Sequence, residues 1–207
     1  VLISALAFDL MDEAYKRGGF GATALGFVGG AVAYTAANWL VNRRGARHRK
    51  RSGGLQASEA EHPGSGTAIL VGSLLDGIPE SIAIGVSLIS GGAVSAAAVA
   101  AVFMSNLPEG LSAAVGMKKT GRSARYILGL HALIAVISAV AALAGYAIFS
   151  RFSPQVIAGT TAVAAGGILA MLADTMMPEA YEAGHELVGL ITVAGFLAAF
   201  VLTKLEG

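Results

Sequence analysis

Leu74-Leu75-Asp76-Gly77-Ile78-Pro79-Glu80-Ser81 places a Pro-Glu step inside a long apolar run. Met104-Ser105-Asn106-Leu107-Pro108-Glu109-Gly110 places a second one 29 residues further on (109 − 80). A charged carboxylate near the centre of a bilayer costs about 2.5–3.5 kcal/mol on insertion scales, so such groups are kept for a purpose. Proline inside a helix removes one backbone donor and frees the carbonyl four residues back. Here those carbonyls belong to Leu75 and Met104. On a helix Asp76 and Glu80 share a face at i,i+4, as do Ser105 and Glu109, and Asn106 joins the second stripe at i,i+3. Oxygen donors that converge inside a membrane define a candidate cation site.

Working outward from these runs, the rest of the chain reads as membrane-embedded. Of 207 residues, 55% are hydrophobic and 13% charged, and the mean hydropathy is +0.70. That excludes an ordinary soluble domain and predicts an all-α, polytopic membrane protein. Gly, at 28 residues, suits closely packed transmembrane helices. A net charge of +1 gives no case for a nucleic-acid partner. With no cysteine, disulfides and thiolate metal sites are excluded. No signal peptide is visible, and the first residue, Val1, sits inside an apolar run, so the natural chain is expected to begin further upstream.

Seven spans are predicted, at about residues 1–11, 21–41, 67–90, 93–117, 126–149, 156–177 and 187–202. A polar joint at residues 15–19 separates the first two. Trp39 reads as an interfacial anchor. The segment at about residues 43–66 is the only loop long and polar enough to be disordered. Most Lys and Arg fall in Arg43–Arg51 and in Lys118–Arg125. Two spans separate these groups, so both are expected on the cytoplasmic side, with the C-terminus outside. Lys16 and Arg17 then fall outside, against the trend. The whole of residues 1–207 reads as one transmembrane domain in a cell membrane, multi-pass, of the bacterial inner-membrane type.

A second repeat flanks the first. Leu6-Ala7-Phe8-Asp9-Leu10-Met11-Asp12-Glu13-Ala14-Tyr15 answers Leu172-Ala173-Asp174-Thr175-Met176-Met177-Pro178-Glu179-Ala180-Tyr181 at an offset of 166 (172 − 6). Given the orientation above, the first span runs outward and the sixth inward, so the repeat is inverted, a common transporter plan with the site at the repeat interface. Three-helix repeats flanking two central Pro-kinked helices then need one helix before Val1, eight spans in all.

These features together resemble the ZIP (Zrt-/Irt-like protein) family of divalent-metal transporters, over essentially the whole chain. The sharpest match is Asn106-Leu107-Pro108-Glu109-Gly110 with the family's polar-polar-x-Pro-Glu-Gly motif. The other motif departs. Asp76, Gly77 and Ser81 stand where the family has His, Asn and Gly. In the fifth span Ile137-Ser138-Ala139 occupy the region where the family often carries a Glu that helps hold a second metal. The resemblance implies a divalent metal ion as transported substrate, zinc first, with iron, manganese or cadmium as alternatives. The departures imply one metal rather than two, and a lean away from zinc towards harder ions. A homodimer is a candidate assembly, and the lipid bilayer is the remaining partner.

Candidate ligands are Asp76, Glu80, Glu109, Asn106 and Ser105. The alternatives are a packing hydrogen bond for the two glutamates, an accepting role behind the ligands for Asp76, an orienting role for Asn106, and a helix–helix hydrogen bond for Ser105. Along the pathway stand Asp174, Glu179, His131, His185, Asp9 and Glu13. Glu182, His185 and Glu186 would share a helical face as a metal relay or, more simply, form a solvated helix end. Asp9, Asp12 and Glu13 would draw cations to the entrance. His131, alone in the fifth span, reads first as a hydrogen-bonding histidine and second as an exit-side ligand. His48 and His62 read as parts of a solvated basic loop touching anionic lipid, and the methionines as core packing. Two other classes of function compete with cation transport. One is an intramembrane hydrolase with paired carboxylates. The other is a structural or sensing protein that binds metal without flux.

Overall fold

The computed structural model describes residues 2–5, 10–50, 56–91 and 96–206, and every regular element among them is helical. The order is α1 (Leu2–Ala5), α2 (Asp12–Val41), α3 (Ser65–Gly91), α4 (Ala96–Lys119), α5 (Ala124–Phe149), α6 (Pro154–Met171), α7 (Met177–Gly184) and α8 (Val188–Glu206). A π-helical turn, Leu172–Met176, joins α6 to α7. Another, Asn42–Ala46, follows α2. Local chemistry sets several boundaries. The Ser123 hydroxyl accepts from the Tyr126 N–H at 3.2 Å and caps α5, as N-cap serines do. Pro154 occupies the first turn of α6, where its missing N–H costs nothing.

Four helical segments are long and apolar enough to cross a membrane, namely Asp12–Ala46, Ser65–Ile89, Ala124–Phe149 and Pro154–Glu182; His185–Val201 is a shorter apolar helix. The outer faces are apolar as well. Phe20, Leu25, Val28 and Val32 on α2, Leu128, Val136 and Leu143 on α5, and Leu190 and Ile191 on α8 are exposed, which is where lipid replaces a protein core. The chain therefore has the build of a helical membrane protein. α4, with Ser105, Asn106, Pro108 and Glu109 at its middle, is not among the four.

α2 packs along α6 and α3 along α5, while α3 also touches α6. Both main contacts are backbone-close. A Cβ added at Gly30 would stand 2.8 Å from the Cα of Val163, and one at Gly85 would stand 3.1 Å from the Cα of Ala142. Without side chains at these points the helices approach closely and gain dispersion along their length. Gly26 and Gly30 form the small-xxx-small spacing that this geometry uses. One core gathers Tyr34, Ala165, Ile168, Met171 and Leu172. A second gathers Ile69, Met117, Ile127 and Leu130. Met104 and Met177 face outward instead, against their reading as core.

Three local expectations are corrected. The polar joint at residues 15–19 is not a loop. Lys16 pairs with Asp12 at 2.6 Å and Arg17 pairs with Glu13, each at i,i+4, and these pairs keep the turn helical. The break comes only at Gly19, with φ 67° and ψ −177°. Further along, the helix ending in α7 is interrupted at His185, whose φ is 44°. Glu182 and the 3-10 turn His185–Leu187 therefore do not continue one helical face.

The third correction concerns residues 43–66, which are not a solvated coil where described. Arg49, Lys50, Gln56 and Ser65 are buried. Glu59 accepts from the N–H groups of Gly64 and Gly66 at 2.6 and 3.0 Å and from the Ser65 hydroxyl at 3.1 Å. Arg122 reaches across from the α4–α5 turn to Ala57 O, Ser65 and Glu59. The segment folds against the helix ends, where these donors and acceptors find one another.

Candidate cation site

α3 carries Asp76 and Glu80 on one face, and both side chains are almost fully buried, at 3% and 2% exposure. Ser81 donates to the Gly77 carbonyl at 2.7 Å and Ser105 to the Val102 carbonyl at 2.9 Å. Both hydroxyls thus donate to the backbone of their own Pro-containing helix, and the Ser105 bond lies within α4 rather than between helices. The Asn106 amide on α4 donates to the Glu80 carboxylate at 2.9 Å. This bond joins the two Pro-Glu helices at the depth of their prolines.

Asp76 meets three side chains, from α2 and from the segment that follows it. The Tyr34 hydroxyl on α2 donates to it at 2.7 Å. The Arg49 guanidinium, from the segment after α2, donates in a fork, with Nε at 3.1 Å from Oδ2 and Nη2 at 3.0 Å from Oδ1. The Lys50 ammonium lies 3.2 Å from the same carboxylate and 2.9 Å from Glu109. Glu80 lies within electrostatic range of Glu109, Lys50 and Asp76. Three carboxylates and two cations thus share one buried cluster between α3 and α4.

The segment that delivers the cations is itself held. Arg49 also donates to Asn38 and Asn42 at 3.1 Å each. Gln56 donates to the Arg49 carbonyl at 2.7 Å and to the Ala113 carbonyl on α4 at 3.2 Å. Gly72 leaves the passage for the arginine. A Cβ there would stand 2.8 Å from Arg49 Nε. Desolvating each of these ions costs several kcal/mol, and close opposite charges with hydrogen bonds offset it. Removing one partner from such a buried pair costs about 3–5 kcal/mol, because the other charge is stranded.

The expected ligands are thus brought together, but not as a ready metal cage. Among the described residues, no group of three His, Asp or Glu side chains stands close enough to hold a metal ion. The oxygens of Asp76 and Glu109 face the chain's own ammonium and guanidinium groups instead. A cluster of carboxylates in a low-dielectric interior draws the nearest cations available, and here those belong to the sequence itself.

The other candidates stand apart from this cluster. The His131 ring contacts the Ile127 carbonyl through Nδ1 at 2.9 Å. A Cβ on Gly110 would stand 3.8 Å from its Nε2, so the ring packs beside the residue that follows Glu109. A Cβ on Gly77 would meet the Ser138 hydroxyl at 3.6 Å. Gly77 and Ser138 therefore face each other across α3 and α5. Asp174 is exposed and Glu179 is half-buried. His185 is exposed and stands edge-on to Tyr181. Glu13 is engaged by Arg17 and Asp12 by Lys16, so these acids do not present free charge at an entrance. Asp9 lies outside the described residues.

Sequence reasoning missed Tyr34, Asn38, Arg49 and Lys50. Tyr34 and Asn38 carried a signal, since they are polar residues at i,i+4 in an otherwise apolar span. Arg49 and Lys50 carried none, because they sit inside a uniformly basic run.

No family model matches this chain, and no curated protein and no solved structure matches it. The class is therefore defined by fold and site alone, as a helical membrane protein with a buried carboxylate–cation cluster between two proline-containing helices.

Proposed function

We propose that this protein carries a divalent cation across the membrane, in the manner of the ZIP family that its Pro-Glu motifs resemble. One observation carries the reading. Asp76, Glu80 and Glu109 converge on positive charge inside the membrane domain, and two of them do so on the same ammonium, at 3.2 and 2.9 Å. A site that holds a cation between carboxylates from two helices has the chemistry a transported cation needs. Oxygen donors suit Mn²⁺ and other hard ions, and the absence of an imidazole from the cluster lowers the preference for Zn²⁺. Carboxylates must lose protons to take a metal, so transport depends on pH.

The helix contacts support the inverted-repeat part of the reading. The offset of 166 exchanges α1 with the end of α6, and α2 with α7 and α8. Under that exchange the α2–α6 contact corresponds to α1–α8, α3–α6 to α1–α4, and α2–α3 to α4–α8, and each of these pairs touches. The π-helical turn at Leu172–Met176 has a counterpart in the π-helical backbone at Leu10 and Met11. In this reading the Pro-Glu helices form the fixed centre and the flanking repeats rock around it. The residue 43–66 segment is cytoplasmic.

Purified protein in liposomes tests the proposal. Mn²⁺ or Zn²⁺ enters wild-type vesicles down its gradient, and Glu80→Ala and Glu109→Ala abolish uptake while still inserting. Full uptake by both variants removes the basis of the reading.

A further inference from the structure

The geometry points to Arg49 and Lys50 as tethered counter-cations that exchange with the transported ion. This inference rests on the transport reading above and goes beyond it, since it makes the segment after α2 respond to occupancy of the site. The Lys50 ammonium lies between Asp76 and Glu109, the carboxylates of two different helices. A dication coordinated by those oxygens, at the roughly 2.0–2.6 Å of hard-cation coordination, needs the space and the lone pairs that the ammonium uses. Both cannot be held at once. Counted as ionised, three carboxylates against Arg49 and Lys50 leave one negative charge. The same carboxylates against a dication alone also leave one. Exchange therefore keeps the buried charge unchanged, whereas adding the ion to the present cluster would leave one positive charge.

At the site the segment is held by polar and ionic bonds. Apart from the Glu59 bonds to Ser65 and Gly66 at the start of α3, the described side-chain bonds that tie it to α3 and α4 are the Arg49 fork on Asp76, the Lys50 ion pairs and the Gln56 bond to Ala113 O. Every one of these except the last ends on a carboxylate that the ion would claim. Ala46, at the end of the π-helical turn that leads into the segment, is fully buried. When Arg49 and Lys50 leave, the turn behind them loses its cover. Gly72 matters because it admits the arginine. A methyl group there displaces Arg49 without altering any charge.

The chain has no cysteine, so the thiol of Ala46→Cys is a specific reporter. In the purified protein, Mn²⁺ alone speeds maleimide labelling of Ala46→Cys over the concentration range in which calorimetry shows it to bind. Asp76→Asn and Glu109→Gln, each added to Ala46→Cys, speed labelling with no ion present. Lys50→Gln tightens Mn²⁺ binding by about fivefold or more, the scale of a real coupling between two ligands for one state. Gly72→Ala does the same with all five charged groups intact, which guards against a Lys50→Gln protein that fails to fold. Mn²⁺ that binds and crosses the membrane while labelling stays unchanged overturns the exchange and leaves the transport reading standing. No binding and no flux of Mn²⁺ or Zn²⁺ in wild type or in either variant overturns the transport reading, and the exchange falls with it.

Discussion

The Lys50 ammonium lies 2.9 Å from the Glu109 carboxylate of α4. A residue of the connecting segment thereby reaches the Pro-Glu step of a helix 59 positions away (109 − 50). The distance is short enough for a charge-assisted contact, and the ammonium is almost fully buried. It makes the segment after α2 part of the site rather than a link between spans.

The α2–α6 contact limits side-chain size at Gly30. Gly30→Leu has no room beside the Val163 backbone, and overpacking of this kind costs about 1–3 kcal/mol. Trp39 is the chain's one tryptophan and sits on α2, so its fluorescence reports the loss. The expected outcome is a lower unfolding temperature in detergent for Gly30→Leu. No comparable change is expected for Gly29→Leu, whose position is open.

Glu59 makes one contribution to stability that depends on pH. The N–H groups of Gly66 and Gly64 hold its carboxyl below the ordinary carboxylate value of 4.5. A folded-state pKa that is depressed contributes stability above the unfolded value and loses it as pH falls through the folded value. Wild type should therefore unfold at a higher temperature than Glu59→Gln at neutral pH. The gap should close as pH drops below about 4. A gap that persists at pH 3 would assign the effect to shape rather than charge.

Topology follows from the basic residues. Single cysteines at Ser58 and Lys204 in intact cells, probed with a membrane-impermeant thiol reagent, are expected to label only at position 204. Labelling at 58 alone would reverse the orientation.

Selectivity turns on Asp76. Asp76→His places an imidazole where the resembled family has one, and imidazole suits Zn²⁺ better than Mn²⁺. Competition uptake should shift towards Zn²⁺. The aspartate is also the partner of the Arg49 fork, so the same variant should loosen the segment after α2.

Much of the helix layout was legible in the sequence. Hydropathy alone placed the third and fifth spans within about two residues of α3 and α5, because apolar length in a bilayer is a strong constraint. The Pro-Glu steps marked the buried acids for the same reason, since a carboxylate at that depth is conspicuous. The start of α2 was not legible, because Lys16 and Arg17 read as a loop until their partners Asp12 and Glu13 are seen one turn away. Arg49 and Lys50 were hidden by their neighbours. Arg43 stacks on Trp39 at 3.6 Å and Arg47 is exposed, as a basic interfacial run predicts. Only tertiary packing distinguishes these two arginines from Arg49, a few residues on.

Anomalous scattering from crystals soaked in Mn²⁺ tests the central claim most directly. The account predicts one peak per chain, bounded by Asp76, Glu80 and Glu109, with the Lys50 ammonium displaced from its position between Asp76 and Glu109. A peak elsewhere, with Lys50 still in place between the two carboxylates, would contradict it.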